Sequence, residues 1–206
     1  MPKGNKNMEI MIPTNKIVEE IKLNAYINER TIYLNDDTIN EDTEFIVNRM
    51  FDKIVEKDQK SGINPKDAEP IILKISSYGG SVYATLSIVS TIETLKDMGY
   101  RIIGKAYGII FSGAFKIFIS CSERICQRHT RFLYHQVQSY ELGNTSVEQS
   151  KRKLKDLEEL WRRCQDIILK YTDITQNKLD EITKLDLDVS LWPEEAMIFG
   201  CVDKIL

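Results

Sequence analysis

The feature that most restricts this chain is a repeating unit: a short apolar strand, a turn of small or polar residues, a helix, then another strand. Ile71-Ile-Leu-Lys-Ile75 runs into Ser76-Ser-Tyr-Gly-Gly80. Ser81 then caps a helix reaching Asp97, with Val82, Ile88, Val89, Ile92 and Leu95 facing inward. Gly99 fits the position just past its end. Tyr100 to Ala106 is the next strand and Ser112 to Ile119 the next helix. Strands that alternate with crossover helices pair in parallel with right-handed connections, so the class is α/β. A length of 206 residues suits one domain with a sizeable core.

The flanking segments extend this reading. Ile17, Val18, Ile21 and Leu23 have helical spacing after Pro13-Thr14, which predicts a short amphipathic helix. Arg30 to Leu34 reads as a buried strand. Asn40 caps a helix from Glu41 to Glu56, with Phe45, Ile46, Met50 (or Val47) and Ile54 on its inner side. Lys57 to Pro70 is a surface loop. Ile125-Cys126 and Arg131 to His135 are short strands, and Glu141 to Asn144 breaks the chain. A long helix from Ser146 to Tyr171 carries Leu154, Leu157, Trp161, Cys164, Ile168 and Tyr171 on one stripe. At 1.5 Å per residue it spans about 39 Å, so it projects or packs on another subunit. Thr175 to Thr183 is a shorter helix, and Asp186 to Trp192 is irregular. Pro193 starts a helix ended by Gly200, and Cys201 to Leu206 closes as a strand.

Composition removes several functions. The net charge of -3 gives no pull toward nucleic acid or an anionic membrane. No apolar run approaches the about 18 residues of a membrane span, and the N-terminal residues lack a signal-peptide pattern. The four scattered cysteines fit reduced thiols in a cytoplasm.

Within this frame the chemistry concentrates between Ala106 and His135. Ser112 sits where an apolar strand turns into a helix, followed by the small residues Gly113 and Ala114. It is either a plain helix cap or a nucleophile whose developing charge is stabilised by free backbone N–H groups. A serine nucleophile needs a base, and the chain has two histidines. His129 lies in a polar turn, and His135 ends an apolar run. The orienting carboxylate stays open at this level, with Asp186 and Asp188 notable in Leu185-Asp-Leu-Asp-Val189. Gly79-Gly80 is a tight turn or a source of an N–H donor for a reacting carbonyl oxygen. Cys121, Cys126, His129 and His135 match no strong zinc spacing, and Gly79-Gly80-Ser81 lacks the further glycine and lysine of a phosphate loop.

Four motifs in order carry a resemblance: Ser77-Tyr-Gly79-Gly80-Ser81-Val82, Gly108-x-x-x-Ser112, Phe132-Leu-Tyr-His135-Gln136, and Glu195-Ala196 with Gly200-Cys-Val202-Asp203. Together they resemble the Clp protease proteolytic subunit family (ClpP) from about Tyr26 to Leu206, in a short-loop form similar to those of phages and prophages. The resemblance implies a crotonase-like α/β fold of stacked ββα units with a projecting handle helix at about 146–171. It implies a peptidase domain over 31–206, preceded by an axial loop and first helix over 1–30. Ser112 then matches the nucleophile, His135 the base and Asp188 the acid. Gly80 and Gly113 match the oxyanion donors. Also implied are heptameric rings stacked as a tetradecamer, a Clp/Hsp100 AAA+ unfoldase ATPase as partner, peptides and unfolded proteins as substrates, and no cofactor or metal.

Three departures stand out. The family's Ser-Met-Gly-Ala-Phe is Ser112-Gly-Ala-Phe115 here. Aligned on Gly-Ala-Phe, the nucleophile position falls on Phe111. Aligned to keep Ile117-Phe-Ile119, Arg124 and His135 in step without a gap, it falls on Ser112, the register adopted. Tyr78 replaces a proline, and Arg128-His-Thr130 replaces Pro-Asn-Ser. A rival expectation follows, a catalytically inactive ring subunit with a structural or modulatory role. Acyl-CoA chemistry on the same fold is a weaker one.

Overall fold

The computed structural model describes residues 30–138 and 146–206. The expected axial loop, first helix (apart from Arg30) and Glu141–Asn144 break lie outside these. The elements in chain order are β1 (Thr31–Leu34), α1 (Glu41–Lys60), β2 (Ile71–Ser77), α2 (Val82–Met98), β3 (Ile102–Phe111) and α3 (Gly113–Ile119). They continue with β4 (Glu123–Cys126), β5 (Arg131–Tyr134), α4 (Val147–Tyr171), α5 (Gln176–Leu185), β6 (Val189–Leu191), α6 (Pro193–Ile198) and β7 (Lys204–Ile205).

The sheet runs β1-β2-β3-β4-β7, all parallel, with β5 also on β3 and β6 on β5. This is the α/β fold the resemblance implies. β3 changes partner along its length. Ile103 to Ala106 pair with β4, whereas Ile109 to Phe111 pair with β5. The second half of β3 therefore leaves the main sheet and carries Ser112 toward β5. That half lies beyond the expected strand end at Ala106, because Gly108 (φ 69) sits between the two pairings and breaks the apolar run.

Several further expectations are corrected. In α1 the inward stripe is Val47, Met50, Phe51 and Ile54, all buried, whereas Phe45 is 67% and Ile46 49% exposed. Val47, Met50, Phe51 and Ile54 recur at i, i+3, i+4 and i+7, which is one helical face; Phe45 and Ile46 lie off it. The helix also continues to Lys60, because Asp58 is buried and takes Arg30 Nη1 on both oxygens at 2.7 and 2.9 Å. The stretch after Asp186 is not irregular throughout. Val189–Leu191 form β6, antiparallel to β5, with Leu191 buried. Three residues are too few to display a period of two.

α4 begins with a capping box. Ser146 Oγ accepts from Gln149 N–H at 3.2 Å, and Gln149 Oε1 accepts from Ser146 N–H at 2.9 Å. Its buried residues, Trp161, Cys164, Ile167 and Ile168, all lie in the C-terminal half. Leu154, expected on the inward stripe, is exposed. The N-terminal half therefore projects from the core of this chain. Replacing Ser146 with alanine should cost about 1 kcal/mol locally. Since that end touches no core, the loss should show as faster amide exchange in the first turn of α4, with the global unfolding midpoint little changed. An equal drop in the midpoint would mean that the projecting half is part of the cooperative unit.

The C-terminal motif Gly200–Asp203 is structural. Arg124 is clamped by Asp203 (Nη2 to Oδ1, 2.6 Å) and donates from Nη1 to the carbonyls of Tyr171 and Gly200, each at 2.6 Å. Under the site, Phe115 stacks on Tyr134 at 5.2 Å and Phe118 meets Phe132 at 5.6 Å. These rings fix α3 against β5, and with it the step from Ser112 to His135.

Candidate active site

Ser112 occupies the turn between β3 and α3 with φ 51 and ψ −112. A non-glycine residue there carries about 1–3 kcal/mol of backbone strain, tolerated only where the surroundings impose it. They do so here. Ser112 N–H donates to Leu133 O at 2.8 Å, and Gly79 packs against the elbow from the other side. The hydroxyl makes no capping hydrogen bond to the helix it precedes. The plain-cap reading of Ser112 therefore loses its basis.

His135 follows β5 and lines the same cavity, of about 460 Å³, as Ser112, Gly80 and Gly113. Phe111 is not among the lining residues; its ring meets Tyr78 edge-on at 5.8 Å. His135 Nδ1 lies 2.6 Å from Gln136 O. A carbonyl oxygen only accepts, so the proton sits on Nδ1 and Nε2 is the basic nitrogen. His129 is exposed in its turn.

The two glycine amides converge. Ile39 N–H donates to Gly79 O at 2.7 Å and Ser81 N–H to Ile39 O at 2.8 Å, a parallel bridge around Gly80. That pattern turns the Gly80 N–H to the opposite edge, toward α3. A methyl carbon built on Gly113 would lie 3.5 Å from Gly80 N. Among the described residues, neither the Gly80 nor the Gly113 N–H has an acceptor. Two unfilled donors beside a free hydroxyl are suited to a carbonyl oxygen that becomes negative.

The carboxylates are further out. Asp186 ends α5 in a left-handed conformation, and its Oδ1 accepts from Gln136 Nε2. Asp188 is exposed just before β6 and is not on the cavity wall. The β5–β6 register pairs Tyr134 with Val189; extended by one residue, it sets His135 opposite Asp188. Among the described residues, no hydrogen bond joins Ser112 Oγ to His135, nor His135 to a carboxylate.

Lys116 and Cys164 are among the cavity residues that the sequence does not point to. Lys116 is buried in α3, and the only signal was a lone lysine inside Gly113-Ala-Phe-Lys-Ile-Phe-Ile119. Burial pushes the Cys121 thiol up to about 12 and the Cys126 thiol up to about 11, so both stay protonated. Among the described residues no cluster of three or more histidine, cysteine or acidic side chains is placed to hold a metal ion, and no helix is long and apolar enough to cross a membrane.

The family described as Clp protease matches residues 16–206. ATP-dependent Clp protease proteolytic subunit 3 of Parasynechococcus marenigrum (strain WH8102) is 26% identical over 210 aligned positions, covering 100% of this chain and 97% of that protein. Proteolytic subunit 2 of Prochlorococcus marinus (strain MIT 9312) is 32% identical over 143 positions, 68% of this chain and 67% of that protein. Proteolytic subunit 3 of Rhodococcus jostii (strain RHA1) is 30% identical over 142 positions, 66% of this chain and 65% of that protein. Fold and matches agree on one class, the α/β proteolytic subunits, a class of serine peptidases. The chain belongs to the Clp protease family.

Proposed function

We propose that the chain is an active serine endopeptidase, the proteolytic subunit of an ATP-dependent Clp-type protease. One observation carries the reading: the strained, uncapped Ser112 shares a cavity with His135 and two unfilled backbone N–H donors. Ser112 Oγ attacks the peptide carbonyl while His135 Nε2 takes its proton. The tetrahedral oxygen is held by the Gly80 and Gly113 N–H groups. His135 then gives the proton to the leaving amine, and water repeats the sequence on the acyl-enzyme. For the relay to close, His135 exchanges the Gln136 carbonyl for Asp188, its neighbour along the β5–β6 register. Hydrogen bonds of this kind are often loose before substrate binds.

The projecting half of α4 is the surface through which rings stack, giving heptamers paired as a tetradecamer in the cytoplasm. An axial loop and first helix over 1–30 precede the peptidase domain of 31–206. A Clp/Hsp100 AAA+ ATPase feeds unfolded protein to the chamber, whereas short peptides enter unaided.

Assembled protein should be labelled at Ser112 by a fluorophosphonate. Asp188→Asn should lower kcat/KM by about 10³–10⁴-fold, as loss of the orienting acid does elsewhere. Asp186→Asn should change it less than about tenfold, since Asp186 serves only Gln136. The reverse order would move the acid to Asp186. The missing Ser–His–Asp hydrogen bonds favour a second reading, an inactive ring subunit; intact assembled protein that takes no label at Ser112 would establish it.

A further inference from the structure

We infer that Lys116 makes this cavity a recognition pocket for an acidic side chain, so that the bond cleaved is the one following glutamate or aspartate. The inference rests on the peptidase reading and deepens it.

Lys116 lies one helical turn beyond Ser112 in α3, and only 3% of it is exposed. Its ammonium has three donors. Among the described residues its sole hydrogen bond is to the Ser112 backbone oxygen, at 3.3 Å, and no carboxylate pairs with it. A buried cation with donors unfilled is unfavourable unless something else completes it. Burial lowers its pKa, countered in part by the neighbouring Cys164. An arriving carboxylate would oppose that shift and fill the open donors.

The position suits a substrate rather than a structural partner. Lys116 is on the wall of the cavity that holds Ser112. None of the described residues lining that cavity is acidic; besides Lys116, the ionisable ones are Tyr78, His135 and Cys164. Lys116 Nζ touches the backbone of the nucleophilic residue itself. With a peptide carbonyl at Ser112 Oγ, we take the side chain of the same substrate residue as the group that enters the shared cavity beside Lys116. A carboxylate on a short stem fills the open donors, a neutral amide of the same shape fills them weakly, and a lysine is repelled. Lys116 bonds the Ser112 carbonyl and not its hydroxyl, which places it to receive a side chain rather than to take the nucleophile's proton.

The test separates this inference from the hydrolase reading. Ser112→Ala protein, which cannot cleave, is titrated by fluorescence anisotropy with matched decapeptides differing at one central residue: Glu, Gln, Leu or Lys. The Glu peptide should bind about tenfold or more tighter than the Gln peptide, with Lys weakest. Adding Lys116→Met should abolish the Glu-over-Gln preference and improve binding of the Leu peptide. Equal affinity for Glu and Gln with Lys116 intact overturns the inference, and that comparison needs no change at Lys116. Fluorophosphonate labelling of the unsubstituted protein reads the other arm. Selective binding without labelling leaves the pocket standing and removes the hydrolase; labelling without selectivity does the opposite.

Discussion

Replacing Ser112 should lower kcat/KM for peptide hydrolysis by about 10³-fold or more whichever small residue is used, because the proposed mechanism then loses its nucleophile and keeps only binding and the two backbone donors. The two obvious replacements should nevertheless differ in stability. Ser112 is held at φ 51, where any residue with a Cβ is strained. Ser112→Ala keeps the Cβ and the strain. Ser112→Gly removes about 1–3 kcal/mol of it and gives back about 0.5–1 kcal/mol through a more flexible unfolded chain. The glycine variant should therefore be the more stable by about 1 kcal/mol, as inactive as the alanine variant, and resolvable by denaturant titration. An alanine variant that matches or exceeds it would mean that the elbow relaxes once the hydroxyl is lost. The strain would then belong to the side chain and not to the frame.

Gly79→Ala should be a severely damaging single methyl beside Ser112. The added carbon would lie 2.6 Å from Gly113 N, 2.7 Å from Phe111 O and 2.8 Å from Ser112 Cβ, and Gly79 has φ 90. Two of these neighbours are backbone and the third is a Cβ fixed to it, so none can swing aside. Steric overlap and backbone strain together should cost about 3 kcal/mol or more. The segment carrying Gly80 would be pushed off the elbow, with about 10²–10³-fold lost in kcat, the size expected for a displaced oxyanion donor. Gly62 supplies the control. It also has positive φ (66), yet a methyl there meets nothing within 4 Å. Gly62→Ala should cost about 1 kcal/mol, the left-handed penalty alone, and leave activity intact. Similar losses for the two variants would show that conformation, not close approach to Ser112, explains Gly79.

Much of the frame was legible because long apolar periods and glycine turns are local signals. The β2–Gly79-Gly80–α2 unit and the helix start at Ser112 both read directly. What escaped depended on partners distant in sequence. The inner face of α1 was misread because Phe45 and Ile46 are as apolar as Val47 and Phe51; only the sheet decides which stripe is buried. The end of β3 was set by its switch from β4 to β5, which the break at Gly108 conceals. β6 was hidden by its shortness, and with it the pairing that separates Asp188 from Asp186. Lys116 escaped because nothing local to α3 tells whether its long side chain turns to solvent or to the cavity that it lines.

β5 has four residues, and Phe132 and Tyr134 on it are essentially inaccessible to solvent. Leu133 O holds the Ser112 amide on one edge, and the other edge faces Val189 and the approach to Asp188. Shifting β5 by one residue would turn both aromatic rings out of the core, since side chains alternate faces with a period of two. The hydrophobic core thus serves as a ruler. The same two rings that make slippage costly also set Ser112, His135 and Asp188 in register along β5, so their alignment is proofread by burial before any substrate arrives.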